Sequence, residues 1–431
     1  MILPSTGIVW TEMRRKRKEE KVKRIKSSCR LFFFFIAILF LGAGCAAKIE
    51  KPPLPLLPLP APAAPTAPLE LVPGDRIPSF DDDLDQASLE LAIEKSLQYY
   101  DRTTTSLYRY GDKRYTAREL KESLLAFRDI IQSPDTEKLK REKIRETFDV
   151  YRATGFDKKG TVLFTGYYEP VLEGSLERTD RYKYPIYKKP GDIVWVNLGK
   201  FRKTFGNERI VGRLKDGELI PYYTRAEIDG AGVLGGRNLE VVWVDDPVDL
   251  FSLHTQGSGK IRLPDGGFIH VGYARSNGHP FRGVGGFLLD EGKISKGSLS
   301  YRSVKGYLKE HPEELSDNLY HNESYVFFRI VENGPLGSLG VPLTPGRTIA
   351  ADPAVFPKGA LAFIRARKPE LNNGEISAWK SFSRFVLSQD AGGVIKGPGR
   401  LDLYCGTGED AETLAGSLKE KGELYFLVKK K

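Results

Sequence analysis

Residues 388–408 read SQDAGGVIKGPGRLDLYCGTG. The apolar-rich run Phe382–Leu387 ahead of this stretch has the length of a strand. Arg400–Cys405 alternates, with Leu401, Leu403 and Cys405 on one face and Asp402 and Tyr404 on the other. Gly392, Gly393, Gly397, Pro398 and Gly399 form a turn-rich connection, expected to bring the two strands side by side. Asp402 then projects from a strand, opposite its apolar neighbours. A carboxylate held on a rigid strand, beside glycines that let a bulky polymer approach the backbone, suits acid–base chemistry. The competing reading is a solvated strand residue among glycines that only turn, because exposed Asp is common.

Outward from this stretch, 431 residues allow two domains, or one large domain with an insert. The net charge of +10 is unevenly placed. Residues 1–30 hold ten Lys and Arg against Glu12, Glu19 and Glu20, a balance of +7, which leaves +3 for the rest. Nucleic-acid binding therefore loses its main support. Of the three cysteines, Cys29 and Cys45 lie in the leader, so Cys405 has no intrachain disulfide partner in the body. The five histidines include no HExxH pair. No metal and no cofactor is expected.

The basic block is followed by eleven apolar residues, Leu31–Leu41, too few for a spanning helix and suited to a signal-peptide core. Leu41-Gly42-Ala43-Gly44-Cys45 resembles a bacterial lipobox, which implies residues 1–45 as a lipoprotein signal and acylation at Cys45. Ala46, where a retention signal would carry Asp, points onward to the periplasmic face of the outer membrane. Residues 46–78 are rich in proline and read as an extended spacer of about 3.1 Å per residue. Residues 81–154 read as helical. Thr116-Ala117-Arg118-Glu119 is a capping box, and Ser133-Pro134 reads as the N-cap and first residue of a further helix. From residue 160 short strands and turns take over, with Asp265-Gly266-Gly267 as a hairpin turn and helix returning over 300–320.

At TGYYEP, TQGSGKIRLPDG, YARSNGHPFRGVG, ESYVFF, VPLTPGRTIAADPAVFPKGA and QDAGGVIKGPGRLDLYCGTG, the chain resembles the membrane-bound lytic murein transglycosylase A family, over roughly residues 90–431. The resemblance implies a mainly β fold with an N-terminal helical flank: a double-psi β-barrel with an inserted second β-barrel domain. Its parts would be 79–168 (flank and first barrel segment), 169–322 (insert) and 323–431 (second barrel segment, the 3D domain). The groove between the barrels would hold a glycan strand of peptidoglycan.

The same resemblance makes Asp402 the single catalytic acid–base and Asp390 a supporting residue. Arg400-Leu401 stands where His-Phe is usual in the family. Candidate substrate contacts are Thr165, Gly166, Tyr167, Tyr168, Gln256, Ser258, Asn277, Gly392, Gly393 and Lys396. Tyr184, Tyr187, Tyr222 and Trp243 are candidate stacking platforms for pyranose faces. Asp352 and Arg347 read as a turn residue and a surface or core partner. One acid suffices if the muramic acid C6 hydroxyl attacks C1 and closes a 1,6-anhydro ring, with no protein nucleophile. The alternatives are a hydrolase on the same barrel, with Asp390 as base, and a glycan-binding lipoprotein without activity. Partners expected are peptidoglycan, the membrane through Cys45, and cell-wall complexes.

Overall fold

The structure, a computed structural model, describes residues 67–103, 106–206, 208–297, 299–372 and 375–431. The leader, the acylation site expected at Cys45 and the spacer up to residue 66 lie outside the described residues. Strand β1 (Leu69–Leu71), inside the stretch read as spacer, already pairs with the sheet. Helix α1 (Gln86–Asp101) starts at Asp85, whose side chain accepts from the Ser88 N–H. The hairpin β2 (Leu107–Tyr110) and β3 (Lys113–Thr116) runs into α2 (Ala117–Gln132) through the capping box expected from Thr116 and Glu119. Helix α3 (Glu137–Thr147) then gives way to β4 (Phe148–Ala153).

Two expectations for this region need correcting. The helical reading of 81–154 missed β2, β3 and β4. The N-cap of α3 is Thr136, not Ser133. Ser133 is spent on the end of α2, donating to the Ile130 carbonyl and Asp135, while the Thr136 hydroxyl accepts from the Leu139 N–H.

The chain enters the main barrel at β5 (Val162–Glu169) and leaves it for the insert. The insert comprises β6 (Val171–Ser175), β7 (Tyr184–Tyr187), β8 (Ile193–Asn197), β9 (Arg209–Lys215), β10 (Glu218–Pro221), β11 (Glu240–Val244), α4 (Pro247–Gln256), β12 (Ser258–Arg262) and β13 (Phe268–Ser276). Helices α5 (Val284–Asp290), α6 (Tyr301–Glu310) and α7 (Leu315–Tyr320) follow, then β14 (Val326–Val331). Its larger sheet runs β14-β13-β12-β6-β11-β7, and a bridge between Lys188 and Phe328 brings its two ends together. The turn at Asp265–Gly267 joins β12 and β13 as expected, with the Asp265 carboxylate accepting from the Gly267 N–H. Phe251–Gln256, read as part of an all-β body, is helix. Asp246 caps it and Pro247 opens it.

The chain returns with β15 (Thr348–Ala350), β16 (Leu361–Asn372), β17 (Glu375–Asp390), β18 (Arg400–Thr407), α8 (Glu409–Ser417) and β19 (Lys419–Lys429). The order β19-β16-β17-β15-β18-β5, with β5 pairing back onto β19, closes a six-stranded barrel, which β4 and β1 extend from β19. The two strands flanking residues 391–399 are therefore not neighbours: β15 lies between them, parallel to β17 and antiparallel to β18.

The helices of the N-terminal flank pack into this barrel's core. Leu89, Ile93 and Leu97 of α1, with Leu124 and Phe127 of α2, share one apolar cluster with Phe385, Leu387 and Phe426. Each such side chain removed from water contributes about 1.5–3 kcal/mol. Two buried polar anchors fix the docking. Gln389 donates to the Ala92 carbonyl and to Ser96. Arg347, fully buried, donates to Asp82 at 2.6 Å, to Ser88 and to the Asp85 and Phe385 carbonyls, which makes it the core rather than the surface partner of the two expected alternatives.

Candidate active site

Strand register builds the site. Ala350 of β15 pairs with Asp390 of β17 on one side and Asp402 of β18 on the other. Directly opposed residues share a face of a sheet. Both carboxylates thus stand on the same face of the barrel wall, two strands apart. Leu401 and Leu403 point the other way, into the core. On β5 the same alternation divides the TGYYEP motif. Thr165, opposite Asp402, lies on the site face, and so does Tyr167. Gly166 and Tyr168 lie on the reverse face.

The Thr165 hydroxyl donates to Asp402 Oδ1, and Arg400 Nη2 donates to Thr165 Oγ1 at 3.2 Å. Arg400 Nη2 lies 3.9 Å from Asp402 Oδ1. The Asp402 side chain is 19% exposed, enough for contact with a ligand and little enough to be desolvated. Burial raises its pKa from 3.8 to about 6; Arg400 opposes the rise and Asp390 adds to it.

Asp390 accepts three hydrogen bonds. Its Oδ2 accepts from the Tyr167 hydroxyl at 2.8 Å, and its Oδ1 accepts from the Ser338 and Ala391 N–H groups, each at 2.8 Å. Burial still raises its pKa above the usual carboxylate value, against the pull of these donors. The Tyr167 ring lies 5.3 Å from that of Tyr404, which fixes the hydroxyl's reach across the face.

The remaining candidates divide. Gly166 faces α8: a Cβ there would stand 2.7 Å from Ala415 Cα and 3.0 Å from Cys405 Sγ, so this glycine serves packing. Tyr168 is 1% exposed and pairs with the Tyr301 hydroxyl at 3.3 Å, away from Asp402. Gln256 accepts from the Tyr168 N–H at 3.1 Å, where α4 abuts β5. Ser258 is buried at the start of β12. Asn277 has no exposed surface. Its amide donates to the Tyr223 and Glu323 carbonyls and its oxygen accepts from the Tyr325 N–H, so it braces a corner of the insert.

Gly392, Gly393 and Lys396 sit in the connection between β17 and β18. That connection is pinned by Asp352, which accepts from the Gly397 N–H at 2.8 Å. Gly393 and Lys396 are exposed. Tyr187 and Tyr222 belong to an apolar cluster of the insert and cannot act as platforms. Tyr184 and Trp243 keep partial exposure. A cleft of about 580 Å³ on the insert, between Asp245–Asp249 and Leu308–Leu315, includes none of the site-face residues named above.

Sequence reasoning passed over Ser338, whose N–H completes the Asp390 shell. Gly337 beside it has no room for a side chain, since a Cβ would meet the Gln389 carbonyl at 2.6 Å. It also read Arg400 only as a departure from a motif and missed its place beside the acid.

Residues 163–329 match a family model described as the MltA specific insert domain, and residues 347–428 match one described as the 3D domain. A protein of Escherichia coli strain K12 named membrane-bound lytic murein transglycosylase A is 31% identical over 283 residues, covering 65% of this chain and 69% of its own. One of the same name from Vibrio cholerae is 31% identical over 276 residues, 63% of this chain and 67% of its own. Among solved structures, a membrane-bound lytic murein transglycosylase from Agrobacterium tumefaciens superposes with a TM-score of 0.70 at 30% identity, over 84% of this chain and 97% of that one. E. coli MltA with bound chitohexaose superposes at 0.62 and 25% identity, over 85% and 96%.

Proposed function

The chain belongs to the membrane-bound lytic murein transglycosylase A family, and from that premise we propose that Asp402 alone carries both proton transfers of its reaction. It is a peptidoglycan lytic transglycosylase. The bond cut is the β-1,4 link from N-acetylmuramic acid to N-acetylglucosamine. Asp402, protonated, gives its proton to the glycosidic oxygen as the C1–O bond breaks. The resulting carboxylate takes the proton of the muramic acid C6 hydroxyl as that oxygen bonds to C1. The product ends in 1,6-anhydromuramic acid, and no water is consumed.

A pKa near 6 suits both halves of this cycle, since the group must give and reclaim one proton. The observation that carries the reading is the contrast between the two carboxyls. Both are partly exposed and both have raised pKa values, but Asp402 accepts a hydrogen bond from Thr165 alone among the described residues. Asp390 is occupied by three donors and has little capacity left to activate a water. A hydrolase would need a second working carboxylate. Asp390 instead holds Tyr167 and the Ser338 loop in place. Anchoring through an acylated Cys45 at the periplasmic face of the outer membrane accords with the membrane-bound relatives.

Asp402→Asn tests the assignment. It is expected to lose about 10²–10⁴-fold in glycan cleavage while still sedimenting with insoluble peptidoglycan. Cleavage within a few-fold of the unsubstituted protein would overturn it.

A further inference from the structure

Strands β10, β9 and β8 form a separate three-stranded sheet on the insert. One of its faces packs on the insert body. Val211 abuts Gly278, Arg213 lies 4.1 Å over the Tyr223 ring, and Arg275 lies 5.5 Å over Trp195. The register then puts Val194 and Val196 of β8, Ile210 and Leu214 of β9, and Leu219 and Pro221 of β10 together on the opposite face. A half-buried antiparallel sheet ordinarily turns polar residues outward. Here the outward face carries none. Leu214 is 66% exposed and Ile210 41%, and neither belongs to an apolar cluster of the described residues.

Beside this face runs the β8–β9 connection, residues 198–206, with Phe201 at 73% exposure and Phe205 at 39%. Lys200, Arg202 and Lys203 punctuate this stretch, and Glu208, just before β9, is the one acidic residue between the two strands. Residues 193–221 hold six Lys and Arg against three Asp and Glu, a balance of +3. The whole of residues 67–431 balances at only +2. Arg209, Arg213 and Lys215 alternate onto the face that packs on the body, so the positive charge beside the outward patch is that of Lys200, Arg202 and Lys203.

We propose that this sheet face is a membrane-docking surface that rests on anionic lipid headgroups, with Phe201, Leu214 and Ile210 entering the interface. The sheet face itself is aliphatic and offers a glycan neither stacking faces nor hydrogen bonds; Phe201 and Phe205 stand only at its edge, so the face suits a lipid interface better than peptidoglycan. A second copy would bring like charges together. An anionic bilayer satisfies both the apolar face and its basic border. The docking is separate from the acylation proposed at Cys45 but profits from it, because an anchored protein meets the surface at high effective concentration.

The test takes the full acylated chain on phosphatidylcholine vesicles, with and without phosphatidylglycerol, and reads amide exchange over residues 193–221 by mass spectrometry. Flotation with the neutral vesicles reports the anchor; protection that needs phosphatidylglycerol reports the sheet. The expected result is several-fold slower exchange at 198–206 on anionic vesicles. Lys200→Glu/Lys203→Glu should abolish it, each basic side chain at the surface being worth roughly fivefold in partition, and Leu214→Glu should abolish it as well. Equal exchange on both vesicle types overturns the proposal. So does protection without lipid that grows with protein concentration or appears on adding soluble glycan strands, since the occupant is then a second copy or the substrate.

Discussion

Asp402→Asn should make the protein more stable at neutral and alkaline pH while removing its activity. The reason is the burial that tunes the acid. Its folded pKa of about 6 lies above the ordinary 3.8, so the native state holds this proton more tightly than the unfolded chain does. Between pH 4 and 6 the native form binds more protons, and stability falls as pH rises through that window. Above it the unsubstituted protein carries a desolvated charge. A shift from 3.8 to about 6, at about 1.36 kcal/mol per unit, corresponds to roughly 3 kcal/mol. The 19% exposure and the nearby Arg400 allow some relaxation, so a gain of about 1.5–3 kcal/mol is expected near pH 7.5. Asparagine is neutral, nearly the same size, and still accepts from Thr165. The advantage should shrink to about zero below pH 4, where both side chains are uncharged. Urea unfolding at a series of pH values, read by amide exchange in β18 and β5, isolates the barrel from the insert. An Asn variant no more stable than its parent at pH 7.5, or one whose gain is the same at pH 4, would refute the claim that desolvation sets this acid.

Arg400→Ala removes the cation that lowers the Asp402 pKa, so the alkaline limb of a kcat/KM–pH profile should move to higher pH; a limb that stays put means the guanidinium does not act on the acid. Gly166→Ala sets a methyl group 2.7 Å from a backbone atom of α8, which cannot step aside alone; a loss of about 1–3 kcal/mol in unfolding free energy is expected, and an unchanged value would contradict the packing described. Arg347→Met leaves Asp82 and two carbonyls without their buried donor and should cost about 3–5 kcal/mol in the same assay; a cost below 1 kcal/mol would show that this anchor does not hold the N-terminal segment.

The acid itself was legible because strand alternation around Leu401, Asp402 and Leu403 is a local signal, as was the capping box at Thr116 and Glu119. What lay between the two strands was not. β15 is three residues long, and its partners Asp390 and Asp402 lie some forty to fifty residues further along the chain. Pairing at that range leaves no local periodicity. The face of each TGYYEP residue was readable by alternation, yet Gly166 and Tyr168 passed for groove residues, since only the packing of α8 reveals which side is covered. Asn277 and Tyr222 look like ligands in sequence because polar and aromatic side chains serve corners and cores as readily as sugars. The outward apolar face of β8–β10 was invisible for a similar reason: alternating strands show two faces, and nothing local says which one meets the body.

The central claim is a cleavage in which the sugar's own hydroxyl replaces water. Digesting purified peptidoglycan in heavy-oxygen water and weighing the released muropeptides addresses it directly. Products with no heavy oxygen at C1, each lighter by one water than a reducing end, and absent with Asp402→Asn, are the predicted result. Heavy oxygen at the muramic acid C1 would contradict it and make the enzyme a hydrolase.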